Sequence, residues 1–241
     1  MTLMEQTLTF VPQAAGVLVA ATRRGVRRYN MDASSTFRAS TGVVTASVVD
    51  GIGNDRSGPP VMKLMADNGC RIGATRGPLA GVLAAAAVIE DPGVEDYHPD
   101  GVMVLAVATP GEDTEIGWVG DSHIHSWDGK KWVLRTSPHT MGAYLRQNGD
   151  SGRAVKHDNW VRVTLSTATA TNVAVASVPA GEPLLLLSDG LDEVSPAKLA
   201  KLFRKHGDDH QAFVTALVGS TSKDKKGYRD DATAVLLVPP V

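Results

Sequence analysis

Residues 43–51 are Val43-Val44-Thr45-Ala46-Ser47-Val48-Val49-Asp50-Gly51, an apolar and β-branched run that ends in an Asp-Gly pair. Such a run is typical of a buried strand, and the carboxylate then stands where the strand reaches the surface. Asp189 follows the apolar run 184–187 through one serine, and Asp121 follows the run 115–119 through one glycine. An isolated Asp-Gly pair is more often only a turn. The positions of these carboxylates at strand ends therefore distinguish them from ordinary turn residues.

Apolar runs of strand length recur along the chain and are bounded by Gly, Pro or Asp. They occupy residues 17–21, 43–49, 102–108, 115–119, 132–134, 173–178, 184–187 and 233–238. Helices are predicted to start near Pro59, Pro78 and Pro196, and after Asp208 or Asp209. Because strands and helices do not alternate regularly, the pattern favours an α+β fold with largely antiparallel sheets over a doubly wound parallel sheet.

The composition is that of an ordinary folded chain. Its 241 residues are 43% hydrophobic, which suffices for a packed core and predicts one domain over residues 1–241. Basic and acidic side chains number 24 and 26, so the positive charge of a nucleic-acid-binding protein is missing. The sequence also shows no run long enough to span a bilayer and no signal-peptide pattern. We therefore expect a cytoplasmic protein without a nucleic-acid or membrane partner.

The chain has a single cysteine, Cys70. One cysteine cannot form an internal disulfide or a cysteine-rich zinc site, which favours a reducing compartment. Cys70 lies in a predicted helix, where a small buried hydrophobic side chain is a better interpretation than a catalytic thiol.

The carboxylates at the strand ends suggest a cation site. Asp50, Asp121 and Asp189 each follow a predicted strand, and Asp230 comes just before the last one. Carboxylates held at the ends of rigid strands can converge, and they then repel one another unless cations neutralise them. Donor sets made only of oxygen suit Mg²⁺ or Mn²⁺.

Five motifs, in this order, resemble those of the PP2C (PPM) family of metal-dependent serine/threonine protein phosphatases. They are residues 25–32, 48–53, 120–122, 187–191 and 230–233, and together they span nearly the whole chain. Each motif is common by itself, but the order and spacing are specific. The resemblance implies a four-layer αββα sandwich, in which two antiparallel β-sheets are flanked by helices, and the short chain resembles compact bacterial members.

The resemblance also implies a set of metal ligands. Asp50 matches the carboxylate that bridges two Mg²⁺ or Mn²⁺ ions, and the carbonyl of Gly51 matches a ligand of one of them. Asp189 and Asp230 match the remaining ligands of that pair. Asp121, together with Asp189, matches a third and weaker metal site.

Other positions are implied to act on the substrate. Arg27 matches the arginine that binds the substrate phosphate, and Asp32 matches an acid that binds metal-bound water. A flap beside the site corresponds to residues from about 139 to 171. The implied reaction is the hydrolysis of phosphoserine or phosphothreonine in a protein by a hydroxide that bridges two metal ions. The implied partners are a phosphorylated protein and a serine/threonine kinase or its targets, and the chain is expected to be a monomer.

Several positions depart from the family pattern. Met31 stands where the family commonly has a metal-contacting Glu, Asn54 replaces a glycine, and Pro138 replaces an aspartate. A thioether cannot neutralise Mg²⁺ or Mn²⁺. These departures keep open a second hypothesis, a weak or inactive pseudophosphatase that binds a phosphoprotein or a regulator. A third hypothesis, a metal-dependent hydrolase of a small phosphoester, differs only in the substrate.

Two further groups of residues have simpler interpretations. His123 and His125 would share one face of a strand and could bind a metal, but packing or surface histidines are more common. Arg23, Arg24 and Arg28 surround Arg27 in sequence. They predict a solvated turn, or a basic rim that attracts a phosphorylated ligand.

Overall fold

The computed structural model describes residues 15–89 and 99–240, in which ten strands form two antiparallel sheets. The first sheet has the spatial order β1 (Val17–Arg23), β10 (Ala232–Val238), β9 (Leu184–Leu187), β6 (His123–Trp127) and β7 (Trp132–Leu134). The second sheet has the order β2 (Asp32–Arg38), β3 (Val44–Ile52), β4 (Asp100–Ala108), β5 (Thr114–Val119) and β8 (Ala174–Val178). Five helices accompany them: α1 (Gly58–Ala86), α2 (Met141–Gln147), α3 (Ser151–Ala154), α4 (Pro196–His206) and α5 (His210–Gly219).

The two sheets pack face to face between helical layers. Val48 and Val104 of the second sheet share one buried cluster with Leu186 and Val235 of the first. Helix α1 covers the outer face of the second sheet. Helices α4 and α5 cover the outer face of the first, where Phe213 is fully buried. The predicted four-layer αββα sandwich is therefore confirmed.

Helix α1 is broken in its second half. Gly77 has φ 81° and ψ 171°, outside the helical region, and Pro78 starts the next helical segment. A Cβ atom built on Gly81 would lie 2.7 Å from the carbonyl oxygen of Gly69, so the second segment folds back against the first. The two helical segments predicted from Pro59 and Pro78 are thus both present, and they pack against each other. In the described ranges, no helix combines the length and apolar character needed to cross a bilayer.

Strand β2 is the main difference from the predicted pattern. Its sequence is Asp-Ala-Ser-Ser-Thr-Phe-Arg, which contains no apolar run. It forms an edge of the second sheet, and Ser35 donates a hydrogen bond to Asp67 of α1 at 2.6 Å. An edge strand can carry more polar side chains because one side has no sheet neighbour. Two of the predicted helix starts are confirmed at their caps, because Ser195 caps α4 and Asp209 caps α5.

Candidate functional site

The ends of β3, β5 and β9 meet in one cleft. The cleft has a volume of about 150 Å³ and is lined by Arg27, Asp50, Gly51, Asp121 and Asp189, among others. Five of the seven residues predicted from the sequence to form the site are therefore brought together. Along β3, every second residue counted back from Asp50 faces the other sheet and belongs to the cluster between the sheets. The cleft is thus an open end of the layer between the two sheets.

The two remaining predicted residues lie directly beside this cleft. Asp32 pairs with Asp50 across β2 and β3 and is buried. Asp230 shares an adjoining cleft of about 340 Å³ with Asp189. All seven predicted residues therefore belong to one region of the molecule.

The carboxylates of Asp50 and Asp189 are close and electrostatically unfavourable. The backbone N–H of Asp189 donates to Oδ2 of Asp50 at 3.4 Å. Burial, with the nearby charges of Asp189 and Asp32, raises the pKa of the Asp50 carboxyl well above its ordinary value. Burial, with the charges of Asp121 and Asp230, raises the pKa of Asp189 to about 6. The pKa of Asp121 is also raised, first by burial and then by Asp192.

Asp32 is held by one oxygen and has its other oxygen unused. Its Oδ2 accepts a hydrogen bond from Ser188 Oγ at 2.7 Å, and Ser188 Oγ accepts from the N–H of Thr233 at 2.9 Å. Its Oδ1 is buried and has no hydrogen-bond partner among the described residues. Burial, with the charges of Asp231 and Asp189, raises the pKa of Asp32 to about 7. A buried acceptor without a partner is costly, which marks this oxygen as a place for a bound water.

Arg27, predicted to bind the substrate phosphate, contacts two predicted metal ligands. Its Nη2 lies 2.8 Å from Oδ1 of Asp230, and its Nη1 donates to the carbonyl of Gly51 at 3.3 Å. Its Nε donates to the hydroxyl of Tyr228 at 3.2 Å. The guanidinium is therefore held at three nitrogens beside the cleft.

Asp231 is a site residue that the sequence hypothesis did not include. It is 1% exposed, and its two carboxylate oxygens accept from the N–H groups of Gly25 at 2.7 Å and Met31 at 2.8 Å. These two bonds hold both ends of the segment that carries Arg27. The only sequence signal was its position next to Asp230.

Met31 does not face the cleft. Its side chain is fully buried, and a Cβ built on Gly58 at the start of α1 would lie 2.2 Å from its terminal methyl carbon. Its carbonyl accepts from the N–H of Gly51 at 3.1 Å. The side chain that replaces the family's glutamate therefore fills the core under α1 and adds no donor to the site.

The segment predicted to form a flap reaches the cleft at one point. Asn159 and Val161 line the cleft together with Asp50. Pro138 lines a different cavity, but its neighbour His139 donates its N–H to the carbonyl of Gly120 at 2.8 Å. Gly120, with φ 88°, turns the chain toward Asp121. The replacement at Pro138 thus lies outside the cleft, and His139 supports the turn that carries Asp121.

The histidine pair packs beside the site. His123 Nε2 lies 2.9 Å from Oδ1 of Asp192, and burial followed by the neighbouring His123 lowers the pKa of His125 to about 4. Over residues 15–89 and 99–240, no three side chains of His, Cys, Asp or Glu already stand close enough to enclose a metal ion. His123 therefore has a carboxylate partner in Asp192, which accounts for its position without a metal.

The aspartate cluster nevertheless has the chemistry of a divalent cation site. Its donors are all oxygens, which suits Mg²⁺ or Mn²⁺. Asp50, Asp121 and Asp189 have carboxyl pKa values raised by burial and neighbouring acids, the condition that a cation relieves. The unpartnered Oδ1 of Asp32 fits an ordered water beside such a cation. When a cation binds, Asp230 and the Gly51 carbonyl would give up their contacts with Arg27 and contact the cation instead.

Several solved structures with the same fold are serine/threonine phosphatases. The S. agalactiae serine/threonine phosphatase is 21% identical, with a TM-score of 0.74 over 93% of this chain and 99% of that one. The PPM Ser-Thr phosphatase MsPP from Mycobacterium smegmatis is 21% identical, with a TM-score of 0.72 over 92% and 98%. The catalytic domain of the phosphatase PstP, solved with two manganese ions, is 20% identical, with a TM-score of 0.68 over 92% and 97%.

No protein-family model and no curated protein matches the chain. The likeness to solved structures, at these sequence identities, is a likeness of fold. The chain has the αββα fold of the PPM phosphatases.

Proposed function

We propose that this protein is a cytoplasmic, monomeric, metal-dependent phosphatase that hydrolyses phosphoserine or phosphothreonine in proteins. The observation that carries the proposal is the convergence of Asp50, Asp121, Asp189 and Arg27 in one cleft of a PPM-type fold. Negative carboxylates beside a guanidinium are suited to hold cations and a phosphate together.

The family resemblance supplies the proposed donors for the cations. Asp50, Asp189, Asp230 and the Gly51 carbonyl would hold two divalent ions, and Asp121 with Asp189 would hold a third, weaker one. The manganese found in a structure of the same fold supports Mn²⁺ as the first ion to test. When bound, such ions lower the pKa of water and offset negative charge on the phosphoryl oxygens.

The side chains of the chain then have distinct tasks. The forked guanidinium of Arg27 binds two phosphoryl oxygens and aligns the ester for in-line attack. The free Oδ1 of Asp32 accepts a hydrogen bond from the attacking water and orients it. Ile52 also lines the cleft, and its apolar side chain cannot protonate the leaving oxygen, so we assign that proton to a water.

A binding-only role is the second candidate. It is favoured by Met31, whose buried thioether leaves one carboxylate fewer beside the cations than the family pattern provides. In that case the cleft would bind a phosphorylated segment without hydrolysing it.

Turnover assays with the whole chain distinguish these candidates. We expect hydrolysis of an aryl phosphate and of phosphoserine and phosphothreonine peptides in Mn²⁺, and none in chelator. Hydrolysis of the aryl phosphate alone would instead support a small-molecule phosphatase. If saturating Mn²⁺ gives no turnover while a phosphopeptide still binds, the enzymatic proposal is wrong and the binding role is supported.

Asn159 should contribute modestly to substrate binding. It is exposed, and it lines both the metal cleft and the adjoining cleft. Replacing it by alanine should raise KM for a phosphopeptide about threefold, since one exposed polar contact is worth little. Lys156→Ala, on the same segment but outside both clefts, is the control. Equal KM values for both variants would contradict a role for Asn159.

A further inference from the structure

Tyr228 lies between the phosphate-binding arginine and a predicted metal ligand. Its hydroxyl accepts a hydrogen bond from Arg27 Nε at 3.2 Å and donates one to Oδ2 of Asp230 at 3.1 Å. A phenolic hydroxyl has one proton to donate and can accept at its oxygen, so both bonds form at the same time. A single oxygen therefore joins the guanidinium and the carboxylate.

The bond to Nε matters because of the geometry of arginine. The guanidinium is planar, and its outer nitrogens offer the forked face that matches a phosphate. A hydrogen-bond partner at Nε fixes the orientation of the guanidinium plane without contacting the two outer nitrogens. A phosphate would compete with the Gly51 carbonyl at Nη1 and with Asp230 at Nη2, whereas a cation would compete with Arg27 for these two groups.

Tyr228 is itself held in place by its backbone. Its N–H donates to Oδ1 of Asp224 at 2.8 Å, and its carbonyl accepts from the N–H of Asp224 at 2.7 Å. The next residue, Arg229, accepts at its carbonyl from the N–H of Val26 at 2.9 Å. The turn that presents Tyr228 is therefore tied to the segment that carries Arg27.

We propose that Tyr228 is a positioning residue, which holds the Arg27 guanidinium in the orientation that binds a phosphate monoester. This inference rests on the proposed function, since it assigns a role within the same site. The phenol acts through Arg27 and does not need to touch the phosphate. Because its hydroxyl also binds Asp230, it keeps the arginine next to a metal-binding carboxylate rather than in solvent.

The test is Tyr228→Phe in the full chain, which removes only the hydroxyl. A hydrogen bond to a charged group is lost, so we expect about a tenfold rise in KM for a phosphoserine peptide. The Kd of inorganic phosphate, measured by calorimetry in Mn²⁺, should rise by a similar factor. The kcat should fall by less than about threefold, because the groups that face the reacting water remain. The melting temperature should stay within a degree of the parent value.

Tyr144→Phe is the matched control. Tyr144 is as exposed as Tyr228, at 43%, and lies on α2 outside the two clefts that contain Asp189. We expect its KM and phosphate affinity to equal those of the parent chain.

The outcomes separate the two levels of the proposal. No metal-dependent turnover by the parent chain would overturn the proposed function itself. Parent activity with unchanged KM and phosphate affinity in Tyr228→Phe would overturn only the role of Tyr228. A lower melting temperature with an equal loss in every kinetic constant would also overturn it, because that pattern indicates a structural role.

Discussion

Replacing Asp50 by asparagine should abolish the metal-dependent hydrolysis of phosphate monoesters. Asp50 lines the cleft with Arg27, Asp121 and Asp189, and it is the proposed bridge between the two cations. An amide keeps the shape of the side chain but removes its negative charge and one anionic donor. Loss of a group that only supports a metal ligand costs about 10–100-fold in affinity or activity. Loss of the bridging ligand should therefore cost more, on the order of 10³-fold in kcat/KM.

The same substitution should stabilise the metal-free chain at neutral pH. In the folded chain the pKa of Asp50 is raised by burial, by Asp189 and by Asp32. An acid with a raised pKa in the folded state binds its proton more tightly there than in the unfolded state. Stability therefore falls as pH rises from the ordinary carboxyl pKa through the raised one, and the ionised carboxylate is unfavourable above it. Asparagine carries no charge and avoids this cost.

Thermal unfolding in chelator and in Mn²⁺ tests both effects together. In chelator at pH 7.5, Asp50→Asn should melt several degrees above the parent chain. Mn²⁺ should raise the melting temperature of the parent and leave the variant nearly unchanged. Asp208→Asn, at an exposed position between α4 and α5 that lines neither cleft, should behave like the parent. An active Asp50→Asn enzyme, or an equal Mn²⁺ shift in both chains, would contradict the ligand assignment.

Replacing Asp231 by alanine should destabilise the fold and disable the site. Its carboxylate is 1% exposed and accepts from the N–H groups of Gly25 and Met31. Each buried donor left without a partner costs about 1–3 kcal/mol, so the pair should cost roughly 3 kcal/mol in unfolding free energy. The segment that carries Arg27 would also lose its two anchors. We therefore expect a large drop in kcat/KM, even at a temperature where the variant is folded.

Urea denaturation and kinetics on Asp231→Ala and Asp231→Asn measure this contribution. Asparagine has one acceptor oxygen and should keep one of the two bonds, so its stability should lie between those of the parent and the alanine variant. An alanine variant as stable as the parent would show that water satisfies both N–H groups and that the carboxylate is not needed.

Sequence patterns predicted those site residues whose positions follow from their immediate neighbours in the chain. The run before Asp50 and the run before Asp189 each predicted a buried strand that ends at the surface, and both strands are present as β3 and β9. Both strands reach the same open end of the layer between the two sheets, so Asp50 and Asp189 meet there. The residues whose roles depend on a contact distant in sequence were not predicted. Tyr228 meets Arg27 across 201 positions, and no local pattern encodes that contact.

Side-chain direction was the second limit of the sequence hypothesis. Met31 is adjacent to Asp32, yet its side chain lies in the core under α1, while Asp32 faces Ser188, which directly follows β9. Neighbouring residues of a strand point to opposite faces, but the sequence of this polar edge did not predict a strand there. The sequence therefore showed that Met31 departs from the family pattern, but it did not predict that the Met31 side chain is buried.

The pairing of Asp32 with Asp50 has a consequence for insertions and deletions in the second sheet. Both carboxylates face the other sheet because they share the parity of the inward residues, such as Val48 beside Asp50. A deletion of one residue within β3 would turn Asp50 toward α1, although every residue of the cleft would still be present in the sequence. A deletion of two residues would restore the face. The register of β3 within its sheet thus determines whether the carboxylates can meet at all.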